Sequence, residues 1–195
     1  MRKLYLAGLL FVVLSVGIGL NRSAPDLVPS LRYSHPTVRQ VTAGGEAAGW
    51  FRAVRPFCNA VEVETRQQAM PPPAGPEGAA YGAACFALAG RIERARQLIQ
   101  QLEGDERWRA AGVVFNVAHP VADEGDDRSA GPIMELVVEF WPNHYMALYH
   151  AGMARFGLGD AVQAGAYLTR FLENYDPDDG WTRSAEAALE DLRSR

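Results

Sequence analysis

Apolar residues in this chain fall first into one unbroken run and then into a series of short helical periods. The run is Leu4 to Leu20, 17 residues without a charge, at the lower end of the ~17–25 residues that cross a bilayer core as a helix. From Glu46 onward, apolar positions recur at spacings of three and four, the mark of amphipathic helices. Pro and Gly clusters cut that pattern into segments. Between run and helices, residues 21–45 contain Pro25, Pro29 and Pro36, close on Gly44-Gly45, and have no sustained apolar period. Prolines fix φ and disfavour helix in the residue before them, so this stretch predicts an extended tether. It would lie along a neighbouring protein or serve as an ordinary linker.

Met1-Arg2-Lys3 precedes the apolar run. The positive-inside tendency holds such an end in the cytoplasm and sends the chain beyond Leu20 across the membrane. Residues 1–20 therefore read as a single-pass anchor in a bacterial inner membrane, with a periplasmic body. A cleaved signal peptide is the alternative, although Ala24 has Arg22 at the −3 position, a poor cleavage site. Ser15 and Gly19 form a small-xxx-small pair through which another membrane helix could approach closely.

The helical part repeats. Gly90, Gly125 and Gly159 are each followed five residues later by alanine, at Ala95, Ala130 and Ala164, and the glycines are 35 and 34 residues apart. That period belongs to arrays of helix–turn–helix units, each exposing an apolar face that only its neighbour can cover. On these residues the chain resembles the tetratricopeptide repeat (TPR) family. The third copy matches best, with Leu148, Ala151 and Gly152 on a first helix, Gly159-Asp160 at the turn, Ala164, Leu168 and Phe171 on a second helix, and Pro177 at the end. The first copy supplies Ala79, Gly82, Ala83 and Phe86, then Gly90-Arg91, then Ala95, Ile99 and Leu102, and lacks the terminal proline. In the middle copy, His119-Pro120 falls inside the first helix, where proline removes a backbone hydrogen bond. That helix is expected to be shortened or kinked.

The resemblance implies an all-α fold, a short α-solenoid of about three TPR-like hairpins over residues 76–177. A helix from about Phe57 to Met70, preceded by a short one around Trp50-Phe51, would make 46–70 an amino-terminal cap or worn repeat. Residues 180–195, with Ala185, Leu189 and Leu192 apolar among charges, read as the carboxy-terminal capping helix that such arrays require. In the family, first-helix side chains line a concave groove for partner peptides. By register the implied positions are Glu77, Ala80, Ala84 and Leu88, then Phe115 and His119, then Met146, Tyr149, Met153 and Phe156. Phe115 and Phe156 fit the core equally well. Trp141, His144 and Tyr145 mark an aromatic cluster between repeats, of the kind found at binding hot spots and in packing alike.

Composition narrows the chemistry. The chain has 195 residues, room for one ordinary domain with appendages. With Arg2 and Lys3 set aside, 17 basic residues face 23 acidic ones, which argues against a nucleic-acid surface. No P-loop, dinucleotide fingerprint, Gly-x-Ser-x-Gly or His-Glu-x-x-His occurs. His144 and His150 are six apart, so a helix turns them in different directions. The acidic turns at 123–127 and 176–180 lack calcium-loop spacing and suit helix capping. Cys58 and Cys85, 27 residues apart, are compatible with a disulfide or with two buried thiols.

The reading is therefore a non-enzymatic, membrane-anchored interaction module without cofactor or metal. It would engage other proteins as an accessory subunit or assembly factor of a membrane complex, respiratory or photosynthetic for example. Two alternatives stand beside it: an enzyme or cofactor carrier using His119, Asp123 or Cys58 in a pocket between helices, and a secreted binding module.

Overall fold

The computed structural model describes residues 45–194, and all of their regular structure is helical. The helices are α1 (Glu46–Val54), a 3-10 turn (Arg55–Phe57), α2 (Val63–Ala69), α3 (Pro76–Leu88), α4 (Ile92–Gln100), α5 (Glu106–Asp123), α6 (Asp127–Phe140), α7 (Tyr145–Gly157), α8 (Ala161–Asn174) and α9 (Gly180–Ser194). The run Leu4–Leu20, with Ser15 and Gly19, and the tether up to residue 44 lie outside the described residues. Within the described residues no helix is long and apolar enough to cross a membrane.

Three helix pairs, α3–α4, α5–α6 and α7–α8, are each closed by a turn at one of the periodic glycines. Gly90, Gly125 and Gly159 have φ of 72°, 92° and 77°, the left-handed region that glycine enters without a Cβ penalty. All three turns use the same bonds. The glycine N–H donates to the carbonyl three residues back (Ala87, Ala122, Phe156), and the next N–H to the carbonyl five back (Phe86, Val121, Arg155). The five-back bond is the helix-closing bond of a Schellman turn, which satisfies carbonyls the helix end would otherwise leave unpaired. Asp126 and Asp160 then cap the second helices, accepting from Ser129 N at 3.1 Å and Gln163 N at 3.2 Å. Arg91, at the corresponding place in the first pair, instead donates to the Ala60 carbonyl at 2.9 Å.

The pairs lie side by side, α3 along α5 and α6 along α7. Small residues permit the close approaches: a Cβ on Gly152 would meet Leu168 Cδ2 at 2.7 Å. Ile99, Met134, Leu148, Leu168 and Phe171 are fully buried between the layers. Arg155 forks onto Glu135 of α6 and reaches Asp160 at 3.3 Å. At the ends, α1 packs on α3, with Phe51 against Tyr81 at 5.2 Å, and α9 packs on α7 and α8.

Two expectations are corrected. Of the two outcomes expected for the helix carrying His119-Pro120, shortening does not occur; α5, at 18 residues, is the longest described helix. Pro120 lies in its last turn, where its missing N–H costs a single bond, to Asn116, while its own carbonyl still accepts from Glu124 N at 3.2 Å. The expected helix from Phe57 to Met70 is broken. The Asn59 side chain accepts from the N–H groups of Val61 and Glu62, both at 3.1 Å, holding a turn from which α2 restarts at Val63. Cys58, just before that turn, is disulfide-bonded to Cys85 of α3.

Candidate functional site

The second glycine turn gathers four polar side chains. His119 and Asp123 are one helical turn apart at the end of α5 and therefore share a face. Gly125 reverses the chain, Asp126 caps α6, and Asp127 becomes its first residue. His150 enters from the middle of α7, which lies along α6.

His150 is 1 % exposed. Its Nδ1 is 2.6 Å from Asp127 Oδ1, while its Nε2 faces Asp123 Oδ1 at 3.7 Å and has no hydrogen-bond partner. Asp127 Oδ1 takes the hydrogen bond at Nδ1, which leaves Nε2 as the ring nitrogen on the Asp123 side. His119 Nδ1 lies 3.3 Å from Asp123 Oδ2, and His119 Nε2 is buried without a partner. One donor atom from each of His119, Asp123 and His150 lies within 4.8 Å of the other two. Burial pushes the His119 pKa below the ordinary histidine value, with a smaller push from His150, against the upward pull of Asp123.

Aromatic rings wall the cluster. Phe115 lies tilted against His119 at 4.5 Å and against His144 at 4.0 Å, His119 meets His150 edge-on at 5.2 Å, and Trp181 of α9 stands 5.8 Å from His150. Asp123, with 43 % of its side chain exposed, is the most open member.

The positions carried over as a groove separate here. Phe115 and Tyr149 are buried and belong to the core, Tyr149 because Phe171 and Trp181 cover it at 5.2 and 4.9 Å. Ala80 and Ala84 are likewise buried. His119, Met146, Met153 and Phe156 are half-buried, Leu88 is half-buried and Glu77 exposed. His144 is not one of the three clustered donors: as the extended N-cap of α7, it accepts from Ala147 N at 3.3 Å. Spacing along the chain could relate His119 to Asp123, but not either of them to His150, which reaches them across two turns. Comparison with protein-family models, with curated proteins and with solved structures finds no match to this chain.

Proposed function

We propose that this protein is a non-enzymatic interaction module, a short TPR-like array that holds another protein. The observation that carries the reading is the threefold recurrence of one turn, the same glycine conformation and the same two backbone bonds at Gly90, Gly125 and Gly159. A helix-pair unit repeated in this way builds an extended surface rather than a single enclosed cavity. The partner surface is formed by Met146, Met153 and Phe156 on α7, which favours an apolar or aromatic segment. In this reading residues 4–20 anchor the module and the helices face the periplasm, where the Cys58–Cys85 bond is at home in an oxidising compartment. The role is that of an accessory or assembly subunit of a membrane complex.

The test is affinity capture of the full chain from detergent-solubilised membranes, followed by gel filtration. A stoichiometric partner that co-elutes with the wild type and is lost with Met153→Asp supports the reading. Recovery of the protein alone overturns it.

A further inference from the structure

We propose that His119, Asp123 and His150 bind one divalent transition-metal ion of the zinc type, with Asp127 holding His150 in place from behind. The proposal does not rest on the partner surface, although His150 lies on the same helix, α7, one turn from Met146 and from Met153.

The donor atoms themselves select the metal. Two imidazoles and one carboxylate suit zinc and its first-row neighbours, whereas calcium and magnesium require oxygen donors throughout. Zinc bonds of about 2 Å in a tetrahedral shell place neighbouring donors about 3.3 Å apart. His119 Nδ1 and Asp123 Oδ2 are already at 3.3 Å, and His150 Nε2 and Asp123 Oδ1 at 3.7 Å. These distances are to different oxygens of Asp123, and the three donor atoms lie within 4.8 Å of one another, so closing on one ion requires the half-exposed Asp123 and the His119 ring to shift together.

The state of His150 points the same way. A ring nitrogen sealed from solvent without a hydrogen-bond partner is costly unless something fills the position. Its Nε2 is such an atom, aimed at a carboxylate just beyond hydrogen-bond distance. Asp127 on Nδ1 completes a carboxylate–histidine arrangement that fixes the tautomer and raises the basicity of the other nitrogen, as metal-ligating histidines commonly require. Ion pairs with Asp127 and, at 3.7 Å, with Asp123 still leave Nε2 without a hydrogen bond; a metal ion between Nε2 and Asp123 would fill that position. Three protein donors leave a fourth coordination position, open on the Asp123 side. The ion would tie α5 to α7 where ring contacts already bridge them.

The experiment uses the full chain with its disulfide intact, stripped by chelator and titrated with Co²⁺, whose visible absorption reports four-coordinate binding; Zn²⁺ is then added as competitor. We expect one Co²⁺ per chain, displacement by Zn²⁺ but not by Mg²⁺ or Ca²⁺, and a rise in Tm on Zn²⁺ addition through preferential binding to the folded state. Asp123→Ala, at an exposed position that leaves folding intact by circular dichroism, should weaken binding at least tenfold. Asp127→Asn, which touches no metal, should weaken it about ten- to a hundredfold. Sub-stoichiometric cobalt, equal competition by Mg²⁺, or wild-type affinity in both variants would overturn the site.

Discussion

A Cβ on Gly131 would stand 2.4 Å from the Cβ of Ala154, so α6 and α7 meet at a point where one of the two positions must carry only hydrogen. This crossing sets how closely the second and third helix pairs approach, and through it how His150 is delivered to Asp127.

Gly131→Ala is therefore expected to destabilise by about 1–3 kcal/mol, the usual cost of overpacking, even though alanine favours helix over glycine by about 1 kcal/mol. Ala154→Gly alone should cost about 1 kcal/mol through backbone entropy. The double variant exchanges the two side chains across the crossing and should recover to within about 1 kcal/mol of the wild type. Urea denaturation of the four proteins decides it. Strictly additive losses would mean that the helices do not cross at these residues.

The Cys58–Cys85 bond closes a loop of 27 residues that contains all of α2. Constraining the unfolded chain over that length contributes about 3–4 kcal/mol in the chain-entropy treatment. Reduction, or Cys58→Ser with Cys85→Ser, should lower Tm by about 10 °C for a chain of this size. Thermal melts with and without reductant, compared with the double variant, measure this. An unchanged Tm under reductant would contradict it.

The helical pattern was legible in the sequence because two signals agreed: apolar spacing marked the faces, and glycine marked the turns. Gly90, Gly125 and Gly159 have the positive φ that glycine tolerates best, so their positions along the chain carry backbone information directly. Pro120 misled because proline is disruptive by default, yet in a final helical turn it forfeits one bond. The run from Asp123 to Pro132 reads as a broad acidic turn, yet α6 already starts at Asp127 and takes Pro132 in. The groove positions were half legible. Register places a residue on a face, but it does not say that α9 will lie over Tyr149 or that α1 will cover the first pair. The histidine and carboxylate cluster was legible only on α5, since His119 and Asp123 are i and i+4, whereas His150 joins them through the angle at which α7 crosses α6.

The start of α9 depends on Asp179. Its Oδ1 accepts from the N–H groups of Trp181 at 2.8 Å and Thr182 at 3.3 Å, and its Oδ2 from the Tyr175 hydroxyl at 2.6 Å. Burial pulls the Asp179 pKa upward, but the Tyr175 hydroxyl, the two backbone donors and Arg183 outweigh it and hold the carboxyl below its ordinary 3.8. The same contact and burial push the Tyr175 hydroxyl well above its ordinary range. A carboxylate with a depressed folded pKa contributes stability that is fully present above the unfolded value and is lost as pH falls through the folded one. Asp179→Ala should therefore cost about 1–2 kcal/mol near neutrality, the worth of a helix cap with a charged acceptor. The gap to the wild type should narrow as pH falls below 3.8, where the unfolded carboxyl takes up its proton first. Asp179→Asn keeps a cap acceptor and should fall between the two. Urea midpoints from neutrality to about pH 2 follow the divergence. An Asp179→Ala penalty that stays constant over this range would mean that the carboxylate charge contributes nothing to holding α9 against α7, and that Trp181 keeps its place over Tyr149 by packing alone.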